Sequence, residues 1–161
     1  MHVRSPYRRI LVVCLLGAVS WTSAAAPAAP AAPVSAPSPA GMHEVSALAG
    51  LPEQVRKDLG VDRENTIADR GGPFNPGCIM VAGKPNQRFM LAALGAGSAV
   101  VAVEHGGIAH GAVSREYRLA DGDWTLVRTG HLDLQVAGQK ALLEQHARSA
   151  RPVPVKKKKW F

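Results

Sequence analysis

The sequence predicts an α+β domain: an antiparallel meander of four or five strands, flanked by an N-terminal and a C-terminal helix. Three observations lead there. Leu51, Val55 and Leu59 recur every fourth residue and make one apolar helical stripe. A second helical pattern lies near the other end, with Leu142, Leu143 and His146 on its inward side. Between them, apolar and alternating runs are punctuated by glycine-rich and Asp-Gly turns, the mark of hairpins. Helices segregated to the ends of a strand-rich segment define the class. A small, partly open β-barrel is the alternative arrangement of the same strands.

The first helix should begin at Pro52, whose missing N–H costs nothing in the first turn, and stop at Gly60. Glu53 early and Arg56 and Lys57 late suit the helix dipole. Asp62 to Gly77 carries Gly71-Gly72-Pro73 and Asn75-Pro76-Gly77 and reads as a loop. Asp69, Arg70 and Asn75 are its chemistry-bearing residues, and Asp69 and Arg70 are expected to fix the turn by hydrogen bonding. Cys78 to Ala82 reads as a short apolar strand with Cys78 as a small buried residue at its start. Lys84-Pro85-Asn86 turns the chain.

Arg88 to Leu94 and Ala99 to Val103 are almost wholly apolar, as expected of central strands covered on both faces, with Gly95-Ala96-Gly97 joining them. Ala112 to Leu119 alternates instead. Val113, Arg115, Tyr117 and Leu119 fall on one face, while Ser114, Glu116 and Arg118 fall on the other, read as the wet one. Asp121-Gly122 is a two-residue hairpin signal. Trp124 to Thr129 follows as the next strand, with an extension to Leu134 after a break at Gly130. The second helix runs from Gln139 to Arg148.

Ahead of this domain, residues 1–25 read as an export signal. Arg4, Arg8 and Arg9 precede the apolar run Ile10–Val19, and Thr22 to Ala26 supply small residues for cleavage after Ala24 or Ala25. The run has 10 residues, whereas a membrane-spanning helix needs about 20. The Arg8-Arg9 pair faintly matches a twin-arginine signal, but the strongly apolar core favours the general secretory route. Residues 26–41 form an Ala/Pro-rich linker; Ala24 to Ala40 alone holds nine Ala and five Pro in 17 residues. Proline at that density removes backbone donors and yields a semi-extended spacer. The domain then spans 42–150, and 151–161 form a basic tail without regular structure.

Charge follows this division. The chain carries a formal net charge of +7, but three of the arginines belong to the signal. Between Met42 and Ala147, ten basic residues face twelve acidic ones, a net charge near −2. From Arg148 onward there are six basic residues and no acidic ones. A basic nucleic-acid-binding surface is thereby excluded from the body. Cleavage would also remove Cys14 and leave Cys78 as the single thiol, so no internal disulfide can form.

The stretch Ile67-Ala68-Asp69-Arg70-Gly71-Gly72-Pro73-Phe74, followed by hairpins carrying Glu104-His105-Gly106-Gly107, resembles small uncharacterised exported proteins of Gram-negative bacteria. The resemblance covers about half the chain. It implies a periplasmic or secreted location and brings no functional residues with it.

Several patterns bear on chemistry. His105 and His110 sit with Glu104 on one glycine-rich loop, and with His131 they make the inventory for a zinc or copper site. Their spacing does not force them to one side. Cys78 with His105 or His131 would supply a thiol nucleophile and a base, though no family-specific local signature accompanies them. Glu104 and Glu116 are a carboxylate pair if the hairpin sets them opposite one another. Gly95-Ala96-Gly97-Ser98-Ala99 lacks the second glycine of a nucleophile elbow, and Gly83-Lys84-Pro85 lacks the glycine and the hydroxyl of a phosphate loop. At the C-terminus, Lys156, Lys157, Lys158 and Lys159 precede Trp160 and Phe161. Clustered lysines with interfacial aromatics suit an anionic membrane surface or a polyanion. The sequence therefore points to an envelope-associated or partner-binding module rather than an enzyme, with loop-histidine metal chemistry as the alternative.

Overall fold

A computed structural model describes residues 40–64 and 66–154. The signal segment, nearly all of the linker and the tail residues Lys156–Lys159, Trp160 and Phe161 lie outside the described residues. The fold is an open, seven-stranded sheet with two helices, an α+β arrangement and not a closed barrel.

The strands are β1 (His43–Val45), β2 (Ile67–Ala68), β3 (Gln87–Leu94), β4 (Ser98–His105), β5 (Gly111–Ala120), β6 (Asp123–Leu132) and β7 (Arg151–Pro152). Their order is β1-β3-β4-β5-β6-β7, with β2 parallel to the start of β3 and every other pairing antiparallel. Three of the seven are two or three residues long and have no apolar periodicity of their own. They exist because an edge N–H or C=O needs a partner.

Helix α1 (Glu53–Leu59) begins one residue later than expected. Pro52 is its cap rather than its first residue, with extended ψ. Gly60 ends it in the left-handed conformation at φ 86°, where a side chain would be strained. Leu51, Val55 and Leu59 pack with Phe89, Val101, Val103 and Tyr117 on one face of the sheet. Helix α2 (Gln139–Ser149) covers the opposite face, where Leu142 meets Leu91, Val100, Ala102, Ala112 and Leu132. β4 thus sends Val101 and Val103 to one helix and Val100 and Ala102 to the other, and all four are fully buried. That is why its sequence is apolar from Ala99 to Val103.

Two register shifts re-aim side chains. One lies between Phe89 and Leu91, so Phe89 faces α1 while Leu91 faces α2. The other lies between Glu116 and Tyr117, opposite Val127. Asp121 and Gly122 close the β5–β6 turn at φ 52° and 86° as the Asp-Gly signal requires. β6 runs unbroken through Gly130 to Leu132.

Three expectations need correction. Cys78 to Ala82 is not a strand. Cys78 is exposed, as are Ile79, Met80 and Val81, in a loop that the Asn75 side chain holds through Val81 and Lys84. The face of β5 bearing Ser114 and Glu116 is not wet; both side chains are fully buried beneath α2. The tail does not leave the domain at Arg151. Arg151 and Pro152 pair with Thr129 and Arg128, and the Val153 N–H donates to the Val127 carbonyl at 3.0 Å.

Leu142 is the only fully buried apolar side chain that α2 contributes. Leu142→Ala should therefore cost about 2–5 kcal/mol, by lost transfer energy and the cavity left behind. Urea denaturation followed by circular dichroism measures this directly.

Candidate functional site

The structure gathers its polar side chains into three places. The first lies under α2. Ser114 and Glu116, alternate residues of β5, point to the same face, and α2 lowers His146 onto both. His146 Nε2 lies 2.8 Å from Glu116 Oε2, and Nδ1 lies 2.7 Å from Ser114 Oγ. Arg118 donates to Glu116 Oε1 from Nε at 2.9 Å, with Nη2 at 2.8 Å, and Arg128 Nε lies 3.3 Å from Oε2. Burial alone would raise the Glu116 pKa. The His146 hydrogen bond and the charges of Arg128 and Arg118 outweigh it and hold the carboxyl below its ordinary range. An ionised Glu116 can only accept, so Nε2 of His146 carries a proton.

Ser, His and Glu in contact suggest a hydrolytic triad. Burial decides against that use, because all three side chains have 0% exposure and no substrate reaches Ser114. Their arrangement instead ties α2 to the sheet. Gly130 permits the close approach: a methyl there would lie 2.5 Å from Ser149 Oγ and 2.9 Å from Ser114 Oγ. On the other face, Tyr117 donates to Asp58 Oδ2 at 2.6 Å, and burial with this bond pushes its hydroxyl pKa up.

The second cluster lies at the far end of β4. Arg88 and Glu104 are register partners, and Arg88 donates to Glu104 Oε2 from Nε at 3.0 Å and Nη2 at 2.6 Å. His110 Nε2 lies 2.8 Å from the other carboxylate oxygen. The Arg88 guanidinium stacks 4.3 Å over the Phe74 ring. A cavity of about 340 Å³ opens beside them, lined by Arg70, Arg88, Glu104, Leu91, Leu134 and Val136. Arg70 is engaged by Glu44 at 3.6 Å.

The third place is the loop before β3. Asn75 is 3% exposed and acts as its internal strut. Its Oδ1 accepts the Val81 N–H at 3.1 Å, and its Nδ2 donates to the carbonyls of Val81 at 3.3 Å and Lys84 at 2.9 Å and to Asn86 Oδ1 at 3.3 Å. Its own N–H donates to the Pro85 carbonyl at 2.8 Å. The β4–β5 turn docks on the same loop. The Gly106 N–H donates to the Asn86 carbonyl at 2.8 Å, and a methyl on Gly106 would fall 1.6 Å from the Asn75 carbonyl oxygen. Only glycine allows that contact. The two loops together display Ile79, Met80, Val81 and Ile108, which are 84%, 61%, 49% and 95% exposed.

The residues singled out from sequence fall as follows. Asp69 fixes its turn, its Oδ1 accepting from the N–H groups of Leu48 and Arg70. Glu104 stands opposite Ala112, and Glu116 opposite Val100, so the two carboxylates belong to separate clusters. His105 ends β4 opposite Gly111, His110 is held by Glu104, and His131 on β6 stands opposite Val113. The structure does not bring these three histidines together. Among the described residues no group of three or more His, Cys, Asp or Glu side chains is placed to hold a metal ion. No described helix is long and apolar enough to cross a membrane. Comparison with known proteins finds no matching family model, no similar curated protein and no similar solved structure.

Sequence reasoning missed the Glu116 cluster and the Asn75 strut. The first had a signal: three charged or hydroxyl residues on one face of β5, with an inward histidine in the helix that follows. The second had none, because one asparagine in a turn-rich loop is ordinary.

A carboxylate held below its unfolded range contributes stability at neutral pH, and that stability is lost as pH falls through its folded value. The chain should therefore lose stability as pH falls below the ordinary carboxylate value near 4.5. Glu116→Gln should cost about 3–5 kcal/mol at neutral pH by removing the buried charge that His146, Arg118 and Arg128 meet, and should flatten that acid dependence. Urea midpoints measured from pH 3 to pH 7 on both proteins test this.

Proposed function

We propose that this protein is an exported binding module that associates with an anionic envelope surface through its basic, aromatic C-terminus. In this reading the signal is removed, the Ala/Pro segment is a spacer, and the body is a meander of four long strands that serves as a platform. The tail residues Lys156–Lys159, Trp160 and Phe161 make the contact.

One observation carries the reading. The ionisable groups that the fold gathers are committed to each other. Glu116 is bound by His146, Arg118 and Arg128, and Glu104 by Arg88 and His110. Binding therefore fits the molecule better than catalysis, and the chain's excess positive charge is concentrated in the C-terminal run. The described chain reaches that run from β7 at one edge of the sheet, with Arg151, Pro152 and Pro154 exposed. Lysines beside an anionic lipid surface contribute on the order of 1 kcal/mol each and are screened by salt.

Co-sedimentation with phosphatidylglycerol vesicles tests this. The chain from Ala26 to Phe161, which holds every described residue, is compared with a variant lacking Lys156–Phe161. That variant retains β7. Partitioning at low salt should fall about a hundredfold or more, given four lysines at that magnitude. Equal binding by the two proteins contradicts the proposal.

A further inference from the structure

We infer that the paired loops at the start of β3 and between β4 and β5 form a second contact, an apolar tip that inserts into the interfacial zone of a lipid bilayer. The inference rests on the envelope-surface reading above and adds a site distinct from the tail.

Ile79, Met80 and Val81 are consecutive, and each is about half or more exposed; Ile108, in the neighbouring turn, is almost fully so. A loop unable to bury apolar side chains would be expected to replace them with polar ones or to fray. This one does neither. Asn75 holds it by hydrogen bonds from its side chain and backbone, and Gly106 locks the second turn to the first. The ordering cost of a docked loop is therefore met by polar bonds inside the loop, which leaves the apolar side chains outward and held in place for binding.

Size and charge indicate what they meet. A stable protein interface takes about 20–30 residues a side. Four apolar side chains at two turn tips fall far short of that, yet they suffice for shallow anchoring in lipid, where binding scales with buried apolar area plus attraction to anionic headgroups. Neither loop carries a carboxylate. From Gly71 to Gln87 the only charged residue is the exposed Lys84, and from His105 to Gly111 the ionisable groups are two histidines. The twelve carboxylates of the body all lie elsewhere. An apolar tip flanked by a lysine and free of negative charge is complementary to an anionic bilayer.

The two contacts separate by salt. The tail's contribution is screened at high ionic strength, whereas apolar insertion is not. With phosphatidylglycerol–phosphatidylethanolamine vesicles at about 0.5 M salt, where the Debye length is roughly 4 Å, the chain from Ala26 should retain measurable binding. The variant lacking Lys156–Phe161 should retain the same salt-resistant binding. The double variant Ile79→Asp, Met80→Asp and the single variant Ile108→Asp should each lose it at least tenfold. All of these side chains are exposed, so unchanged thermal melting is expected and confirms folding.

A spin label on Cys78, the only thiol of that chain, gives a second readout. On vesicles it should become less accessible to a water-soluble relaxation agent and more accessible to oxygen. Equal salt-resistant binding by wild type and loop variants overturns the inference, as does its absence in wild type or an unchanged label. Broadening of the label with protein concentration in the absence of lipid would assign the tip to a second copy of the chain and overturn it too. Loss of low-salt binding only on tail deletion bears on the tail alone, so the two proposals fail separately.

Discussion

The carboxylate of Glu116 is ionised where no water reaches it, and the arrangement of the sheet's second face depends on that charge. Four donors from three elements converge on two oxygens: His146 from α2, Arg118 from β5 and Arg128 from β6. Removing one partner from such a group leaves a buried charge uncompensated, which costs far more than the complete cluster contributes. The cluster therefore specifies geometry. It sets the height and rotation of α2, which places Leu142 over the apolar middle of the sheet. It also draws the chain after α2 alongside β6, where β7 pairs.

The other face is built differently. There α1 contributes Val55 and Leu59 to an apolar cluster, and its polar ties to the sheet are the Tyr117 bond to Asp58 and the Gln54 bonds with Asp123 and Trp124. One face is thus held chiefly by hydrophobic burial and the other by burial plus a charge network. This asymmetry is what acid exposes. Protonating Glu116 unfastens α2 and leaves α1 with its apolar contacts.

Much of this was legible in the residues. Pro52, the four-residue spacing from Leu51 to Leu59, and Gly60 define α1 to within a residue. Asp121-Gly122 marks its hairpin because its backbone conformation admits few alternatives. The apolar runs of β3 and β4 reveal two covered faces. Other features could not be read. Alternation along β5 separates Ser114 and Glu116 from Val113 and Tyr117 but does not say which set meets water. Polar residues on a strand ordinarily face solvent, whereas the partners of Ser114 and Glu116 come from His146 and Arg128 farther along the chain. Apolar composition at Cys78 to Ala82 implies burial, but polar bonds from Asn75 hold the segment as a loop with its side chains outward. β1, β2 and β7 are too short to carry a period. Of the candidate site residues, His105, His110 and His131 share composition without convergence, while Ile79, Met80 and Val81 are hidden inside a predicted strand.

The molecule's groups divide by role. Its buried polar groups hold the platform together, and the contacts proposed with other molecules fall on the two loops and the C-terminal lysine run. Hydrogen–deuterium exchange of the chain from Ala26, with and without anionic vesicles, tests that division most directly. The account predicts slowed exchange in residues 75–86 and 105–111 on lipid, with α2 and the strands that contact it unchanged. Slowed exchange centred on α2, or no slowing in those two loops, would contradict it.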